Sequence, residues 1–555
     1  MEPRGDGRDR RTLWLVAAGL AASTLSYDPR ALAAEPKTVA LLGLACVFSA
    51  LAAAGVLRVA VTLPWTLGGV LTVYSLSRGG IAHSAPFAAV LGIALCVAAL
   101  PLAQRRATWL ASSVALGAGA AAITAGQWLG GARGMALHGG LGNPNWLGLL
   151  LALTLVPTLH ALVHAWRAGG APRWLWFGLA VLQGAAFYLA ESRAGWIALP
   201  FGLIAAFVPV RRGFGWLLCL ILVSASVLAT YVSLADAGDA LGALAGRFWI
   251  WKASLAAGIA ALPFGTGAAG FSQGFLQQQG AMLAGLDISE ASRTFVHATT
   301  AHNEWLHGFA SLGLPGVALL IAMLATAIER ASPAAAGALV ALAVSSSADM
   351  PLSVPAVGVV VALALVTPER VAVPGAFSRS GNMLALCALA LCALLLEGSV
   401  RQWRATRMAT AAQDALPAKR SALLARAAAL APNSARAQFD WGNDQVEQGQ
   451  PEAGLAALRR SRRLSAAVST EVAIGNALLE LGRVTEARDA FQRALSFNPG
   501  SFRAHANLSV AYAELGELSL ARSELAKAER LWPGHPKLAL IRGSLSRKIL
   551  DDGSQ

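Results

Sequence analysis

The stretch HNEWLHGFASLGLPGVALLIAMLATAIER, His302 to Arg330, opens on a cluster of polar side chains and continues into an apolar run. A hydrocarbon core about 30 Å thick takes roughly 20 apolar residues in a helix. The run from Trp305 to Ile328 supplies them, bounded by Glu304 on one side and by Glu329 and Arg330 on the other. It reads as a membrane span with two histidines, an Asn and a Glu at its entrance. The same test along the chain gives about thirteen spans, approximately 13–27, 38–56, 60–78, 84–104, 108–129, 145–166, 174–190, 194–210, 214–235, 304–328, 333–349, 354–368 and 382–399. A chain of 555 residues that is 56% hydrophobic and 13% charged, with mean hydropathy +0.55, fits that reading and no single soluble domain. The first span is short; because others follow, it reads as a retained helix and not as a cleaved signal peptide.

The formal charge of +14 comes without the basic stripe and interleaved aromatics that nucleic acid would require. Instead the arginines fall in short groups in alternate connections: Arg4, Arg8, Arg10 and Arg11; Arg105 and Arg106; Arg167 and Arg173; Arg211 and Arg212; Arg330; Arg370 and Arg379. Those connections are expected on the cytoplasmic side together with the N-terminus. The opposite connections hold SRGGIAHSAP, GGARGMALHGGLGNPNW, ESRAG and the hydrophilic loop 236–303, and everything after the last span lies outward with them. The five cysteines, Cys46, Cys96, Cys219, Cys387 and Cys392, all sit inside apolar runs, so neither a disulfide framework nor a zinc site is expected.

After about Arg401 the apolar runs stop, and the tail carries 22 of the 44 basic residues beside many carboxylates. Gly482, Ala487, Ala494 and Pro499 recur 34 residues later as Gly516, Ala521, Ala528 and Pro533, within ELGRVTEARDAFQRALSFNP and ELGELSLARSELAKAERLWP. The period, with alanines that let paired helices approach and a Pro after the second helix, resembles the tetratricopeptide repeat. Upstream, DWGNDQVEQGQPEAGLAALRRSRRL keeps Gly442 and Gly449 and then degrades, and KRSALLARAAALAPNS reads as the second helix of a further unit. The expected architecture is all-α. A polytopic membrane helix bundle of about thirteen spans occupies 1–399 with its large outer loop at 236–303. A linker with partial repeat helices covers 400–434, and an α-solenoid of repeats covers 435–550. Such repeats hold a partner protein or act as spacers.

Four outward segments carry the chemistry. In GNPNWLG, Asn143-Pro144 starts a turn and Asn145 is placed to cap the helix that follows. In ESRAGW, Arg193 is held at the bilayer edge, either paired with Glu191 or free to meet a phosphate. In GRFWIWKASL, Arg247 and Trp251 are four apart and share a helix face, Lys252 lies beside them, and the tryptophans fit an interfacial anchor; PFGTGAAGFSQGF then offers Gly-rich backbone that could cradle an anion. In the opening stretch His302 is the side chain best suited to take a proton from a hydroxyl near neutral pH. Asn303 stands next to it, and Gly313 and Gly316 permit close helix packing below; His307 lacks that context.

Set together, these segments resemble the superfamily of O-antigen ligases, polysaccharide polymerases and bacterial protein O-oligosaccharyltransferases. Its signature of His, Asn/Ser/Gln, nine residues, Gly, two residues, Gly or Tyr is met by His302, Asn303, Gly313 and Gly316. ESRAGW, GRFWIWKASLAAGIAALPFGTGAAGF and GNPNWLG resemble further motifs of the family, over roughly residues 140–330. The resemblance implies a GT-C-like bundle in the bacterial inner membrane. It implies transfer of a preassembled glycan from an undecaprenyl-diphosphate donor to lipid A-core, a growing glycan or a protein, with inversion and without metal or other cofactor. His302 would be the general base, and Arg193 and Arg247 would bind the donor diphosphate. Lys252, Arg293, Asn303, Asn143, Asn145, Gly313 and Gly316 would support them, with Glu290 and Glu304 as substitute bases. Ligase, polymerase and protein glycosyltransferase stay open at this point. A transporter is disfavoured by the absence of an evident inverted repeat, and a plain scaffold leaves the four segments unexplained.

Overall fold

The computed structural model describes residues 35–54, 62–77, 81–98, 100–232, 242–267, 269–368 and 380–552. Among these the chain is all α, with 23 α-helices, two short 3-10 helices and no strand. The expected span 13–27, the arginines Arg4, Arg8, Arg10 and Arg11, and Arg370 and Arg379 lie outside the described residues. Each remaining expected span falls on a helix. Five helical segments, Glu35–Ala53, Leu102–Leu129, Pro144–Ala168, Glu304–Arg330 and Ala385–Gln413, are long and apolar enough to cross a membrane. Shorter apolar helices such as Arg193–Phe207, Pro333–Ser345 and Pro355–Ala364 pack with them. The chain is a multi-pass membrane protein.

Two compact units divide it. One is built from residues up to 229 and from 302–403, the other from 230–301 and 404–555, so the large loop folds with the repeats.

In the membrane unit small residues bring helices together. A Cβ on Gly202 would stand 2.8 Å from the carbonyl oxygen of Gly337, and one on Gly337 would stand 2.5 Å from that of Gly202. Polar side chains add specific links, as expected where apolar packing gives little discrimination. Gln183 donates to Thr158 (3.1 Å) and accepts from Thr154 (3.0 Å), and Gly117 leaves the room that this pair needs. Arg105, expected as a surface charge, is instead buried; its guanidinium donates to the carbonyls of Val366 (2.8 Å) and Pro368 (2.7 Å) beyond helix Pro355–Ala364. Outward faces stay apolar. Ile197, Phe201 and Ile204 on helix Arg193–Phe207 and Leu217, Leu220 and Ile221 on helix Phe214–Val232 are exposed, which suits lipid and not water. At the turn before Pro172, Trp166 and Trp174 stack edge to face (5.5 Å) with the Arg173 guanidinium over both rings, a composition typical of the membrane-water boundary.

In the second unit the repeats form helical hairpins: Ala435–Glu447 with Pro451–Leu464, Val468–Glu480 with Val484–Phe497, and Phe502–Glu514 with Leu518–Leu531, closed by Pro536–Asp552. Ala487, Ala494, Ala521 and Ala528 are fully buried at the crossings. Gly482 and Gly516 turn the chain with φ of 70° and 78°. The sequence-degraded unit keeps the same hairpin because Gly442 and Gly454 preserve its close crossing: a Cβ on Gly454 would stand 2.7 Å from the Gly442 carbonyl.

Candidate active site

Helix Glu304–Arg330 begins at Asn303, whose side-chain oxygen accepts from the Leu306 N–H (3.0 Å) and so caps it. The Asn303 amide donates to the Ser347 carbonyl (2.9 Å), the Glu304 N–H donates to the Ser346 carbonyl (2.7 Å), and the Trp305 indole donates to the Ser347 hydroxyl (3.2 Å). Glu304 accepts from the Leu352 N–H (3.2 Å). Four hydrogen bonds thus fix this helix entrance to the connection 345–352, and the Asn303 cap adds a fifth within the helix, so the two form one corner. Fully buried Asn303 therefore holds the corner, and Glu304 is occupied as a structural acceptor.

His302 stands on that corner with φ of 48°, a conformation costly for a non-glycine residue. Its imidazole is 47% exposed, and its Nδ1 lies 3.9 Å from Oδ1 of buried Asp349. Asp349 is itself fixed, because its Oδ1 accepts from the Met350 N–H at 2.8 Å. A strained backbone, an accessible ring and an anchored carboxylate behind one ring nitrogen leave Nε2 directed away from the carboxylate. Asp349 falls at the end of the expected span 333–349, and its place beside His302 is not among the sequence expectations. The signal was there, since it is the single charged residue between Arg330 and Glu369. His307 is buried with its Nε2 3.4 Å from the Ser311 hydroxyl, inside the helix face.

The glycines of the signature have a different role from the one expected. Gly313 has φ of 67° and ψ of −159°, a break inside the helix that only glycine adopts readily, with Pro315 just after it. Tyr74 donates its hydroxyl to the Leu312 carbonyl at this break (3.0 Å). A Cβ on Gly316 would come within 2.2 Å of the Leu312 Cβ, across the kink of its own helix and not against a neighbour.

Arg193 opens helix Arg193–Phe207, capped by the buried Ser192 hydroxyl, which accepts from Gly195 at 3.3 Å. The Gly213 N–H donates to Glu329 (2.7 Å), and Gly215 packs on the backbone of Ala325, so the far end of helix Arg193–Phe207 meets the far end of Glu304–Arg330. That end of Glu304–Arg330 leads directly into Pro333–Ser345, and Gly202 meets both Gly337 and Ala341 while Gly337 meets Ala206, so helix Arg193–Phe207 runs antiparallel to Pro333–Ser345. Arg193 and Ser346 each lie nine residues from the Gly202–Gly337 contact, about 13.5 Å along either axis, and so stand level. Arg193 and the His302 corner therefore share one end of the membrane unit. Arg193 is exposed, and among the described residues no ion pair involves it, Glu191 included. A cation at a helix N-terminus lacks dipole support, so its natural partner is an external anion. GNPNWLG belongs to the same end: a Cβ on Gly148 would stand 2.1 Å from that of Ser192. Here Asn143, and not Asn145, is the cap, accepting from the Asn145 N–H at 2.8 Å.

Arg247, Lys252, Glu290 and Arg293 belong to the other unit. Arg247 is half-buried on helix Gly242–Ala260, Lys252 lies over the Trp249 ring (5.9 Å), and Arg293 is exposed in the last turn of Ile288–Thr294. Trp251 is buried and packs edge to face on Phe248 (5.4 Å), so it serves the unit's own core instead of acting as an exposed anchor. In the Gly-rich segment, Gly270 and Gly274 make room for Thr266: a Cβ on either would come within 2.2 Å and 2.7 Å of Thr266 atoms.

Residues 178–321 match the O-antigen ligase family and residues 472–536 match the tetratricopeptide repeat, so the chain is O-antigen ligase-like over the first segment and carries such repeats after it. The first match supports a membrane enzyme of glycosyl transfer in the ligase and polymerase group. No curated protein matches the chain. Among solved structures it is similar to YrrB, a repeat protein described with an unusual peptide-binding site (21% identity, 30% of this chain and 87% of that one, TM-score 0.24). MamA (19% identity, 29% and 96%, TM-score 0.23) and the Cut9–Hcn1 hetero-tetramer of the APC/C (11% identity, 84% and 76%, TM-score 0.25) are similar as well. TM-scores this low give none of the three any bearing on the function of this chain.

Proposed function

We propose that the protein is an inner-membrane glycosyltransferase that moves a preassembled glycan from undecaprenyl diphosphate to an acceptor hydroxyl in the manner of an O-antigen ligase, the acceptor being lipid A-core, a growing glycan or a protein. The observation that carries this reading is the exposed His302 on a strained corner, backed by Asp349 and level with an Arg193 that pairs with no carboxylate among the described residues. Nδ1–H of His302 points to Asp349 and Nε2 takes the hydroxyl proton. As the acceptor oxygen bonds to the sugar's C1, the bond from C1 to the diphosphate oxygen breaks and its electron pair leaves with the diphosphate. Attack from the opposite face inverts C1. Arg193 and Arg247, assisted by Lys252 and Arg293, meet the charge that develops on the leaving oxygens, which guanidinium forks suit geometrically. These cations supply the electrostatic stabilisation, so no metal is invoked. Asp349 stabilises the imidazolium that forms, and base assistance of this kind contributes about 10²–10⁴-fold.

The arginine distribution supports about thirteen spans, a cytoplasmic N-terminus and repeats on the periplasmic face. The test is reconstitution of the purified protein in proteoliposomes with an undecaprenyl-diphosphate-linked glycan and lipid A-core. Glycosylated acceptor and free undecaprenyl diphosphate should appear in equal amounts. Passage of the intact donor across the bilayer without cleavage would replace this reading with a transporter.

A further inference from the structure

Helix Pro144–Ala168 begins beside Ser192 and carries two histidines toward its other end. His160 and His164 are four residues apart and so share one face of the helix. Their Nε2 atoms stand 3.3 Å apart while their ring centroids stand 4.4 Å apart, so the two nitrogens converge. Phe207, at the end of helix Arg193–Phe207, lies against the His160 ring with centroids 5.3 Å apart and planes at 30°, which limits the rotation of that ring. His160 is half-buried and His164 is exposed, so the pair is reached from outside. His160 lies sixteen residues beyond Pro144, roughly 24 Å along the axis, which sets the pair apart from the end that bears Arg193 and the His302 corner.

A hydrogen bond between the two rings is long at 3.3 Å. The spacing matches instead the bite of a tetrahedral ion. With metal–nitrogen bonds of about 2.0–2.1 Å, nitrogens 3.3 Å apart subtend about 104–111° at the metal, a range that brackets the tetrahedral angle. A square-planar ion with bonds of that length would need them about 2.9 Å apart. Zinc, which takes neutral imidazole nitrogens in tetrahedral geometry, is the divalent ion that this pair suits. The helix favours it too, because the carbonyl ends at a helix C-terminus attract a cation. Among the described residues no third His, Cys, Asp or Glu completes a cluster with the pair, so water would fill the other two positions and the ion would exchange with solution.

We propose that His160 and His164 form an open zinc site that clasps the last turns of helix Pro144–Ala168. Each ring keeps its proton on Nδ1 and gives the Nε2 lone pair to the ion. The ion links two successive turns of the helix, so its binding stabilises the folded membrane unit.

The full chain, purified in detergent without a polyhistidine tag, would be titrated with Zn²⁺ in competition with a chromophoric chelator. One zinc per chain is expected at this site, weakened at least about tenfold by His160→Ala and by His164→Ala. Because the chain holds nine histidines, His297→Ala, at an exposed histidine of the other unit, serves as the control and should leave the affinity unchanged. Zinc should also raise the melting temperature of the wild type and of His297→Ala, and not that of His164→Ala. If His160→Ala, at the half-buried ring, lowers the zinc-free melt, His164→Ala decides alone. Equal zinc affinity in the wild type and His164→Ala, or an equal loss in His297→Ala, would overturn the proposal.

Discussion

Replacing Asp349 by Asn removes one charge and little else. The Asn Oδ1 can still accept from the Met350 N–H, the 2.8 Å bond that fixes this side chain, so the corner should keep its shape. Its Nδ1–Oδ1 neighbour, His302, loses the carboxylate that would stabilise an imidazolium. At 3.9 Å and an effective dielectric near 20 the attraction is about 4 kcal/mol. The imidazole is 47% exposed, however, and solvent screening reduces this to about 1–2 kcal/mol. Transfer should then slow by roughly 5–30-fold in kcat, with KM for the donor unchanged, because the charge matters when the proton moves and not when substrate binds. The assay is steady-state transfer in proteoliposomes with an independent melt of the purified variant. Full activity for Asp349→Asn, or a loss seen entirely in KM or in the melt, would refute Asp349 as the group that orients and stabilises the base.

Other residues give further expected outcomes. Gly313→Ala places a side chain where φ is 67° and ψ is −159°, a strain of about 1–3 kcal/mol, and should lower the detergent melting temperature; an unchanged melt would contradict the kink as a glycine requirement. Arg193→Ala should raise the donor KM roughly 10–100-fold by removing a charge-assisted contact, and Arg193→Lys should recover only part of it, as radiolabelled donor binding would show. In the repeats, burial raises the Glu524 carboxyl, but the hydrogen bonds and charges of His505 (2.5 Å) and Lys527 (2.7 Å) outweigh it and hold the group below its ordinary 4.5. A carboxylate depressed in the fold contributes stability that is complete above the ordinary value and lost as pH falls through the folded one. Circular-dichroism melts of the repeats should therefore be level from pH 7 to 5 and drop below about 4.5, and Glu524→Gln should blunt that drop.

Helix positions were legible because apolar runs of span length, and a 34-residue period with fixed small residues, each have one economical solution. The His302 signature was legible for the same reason, since His302 and Asn303 fall at a boundary that polarity marks. What sequence could not supply was depth and direction. Asn143 and Asn145 are both competent caps, and only the turn geometry selects the first. Gly313 and Gly316 read as packing glycines because a kink leaves no periodic trace. Asp349 looked like the tail of a span, although a lone carboxylate in an apolar run is costly unless it has work to do. The loop's association with the repeats was invisible, since the contacts at Gly280 and Gly500 join segments more than two hundred residues apart.

The claim on which the rest depends is that the His302 imidazole removes the acceptor proton while guanidinium groups hold the diphosphate. Donor binding and single-turnover transfer measured side by side on the wild type and His302→Ala test it most directly. Binding within twofold of the wild type, with transfer slower by at least about 10²-fold, is the expected result. Transfer at the wild-type rate by the folded His302→Ala protein would contradict it.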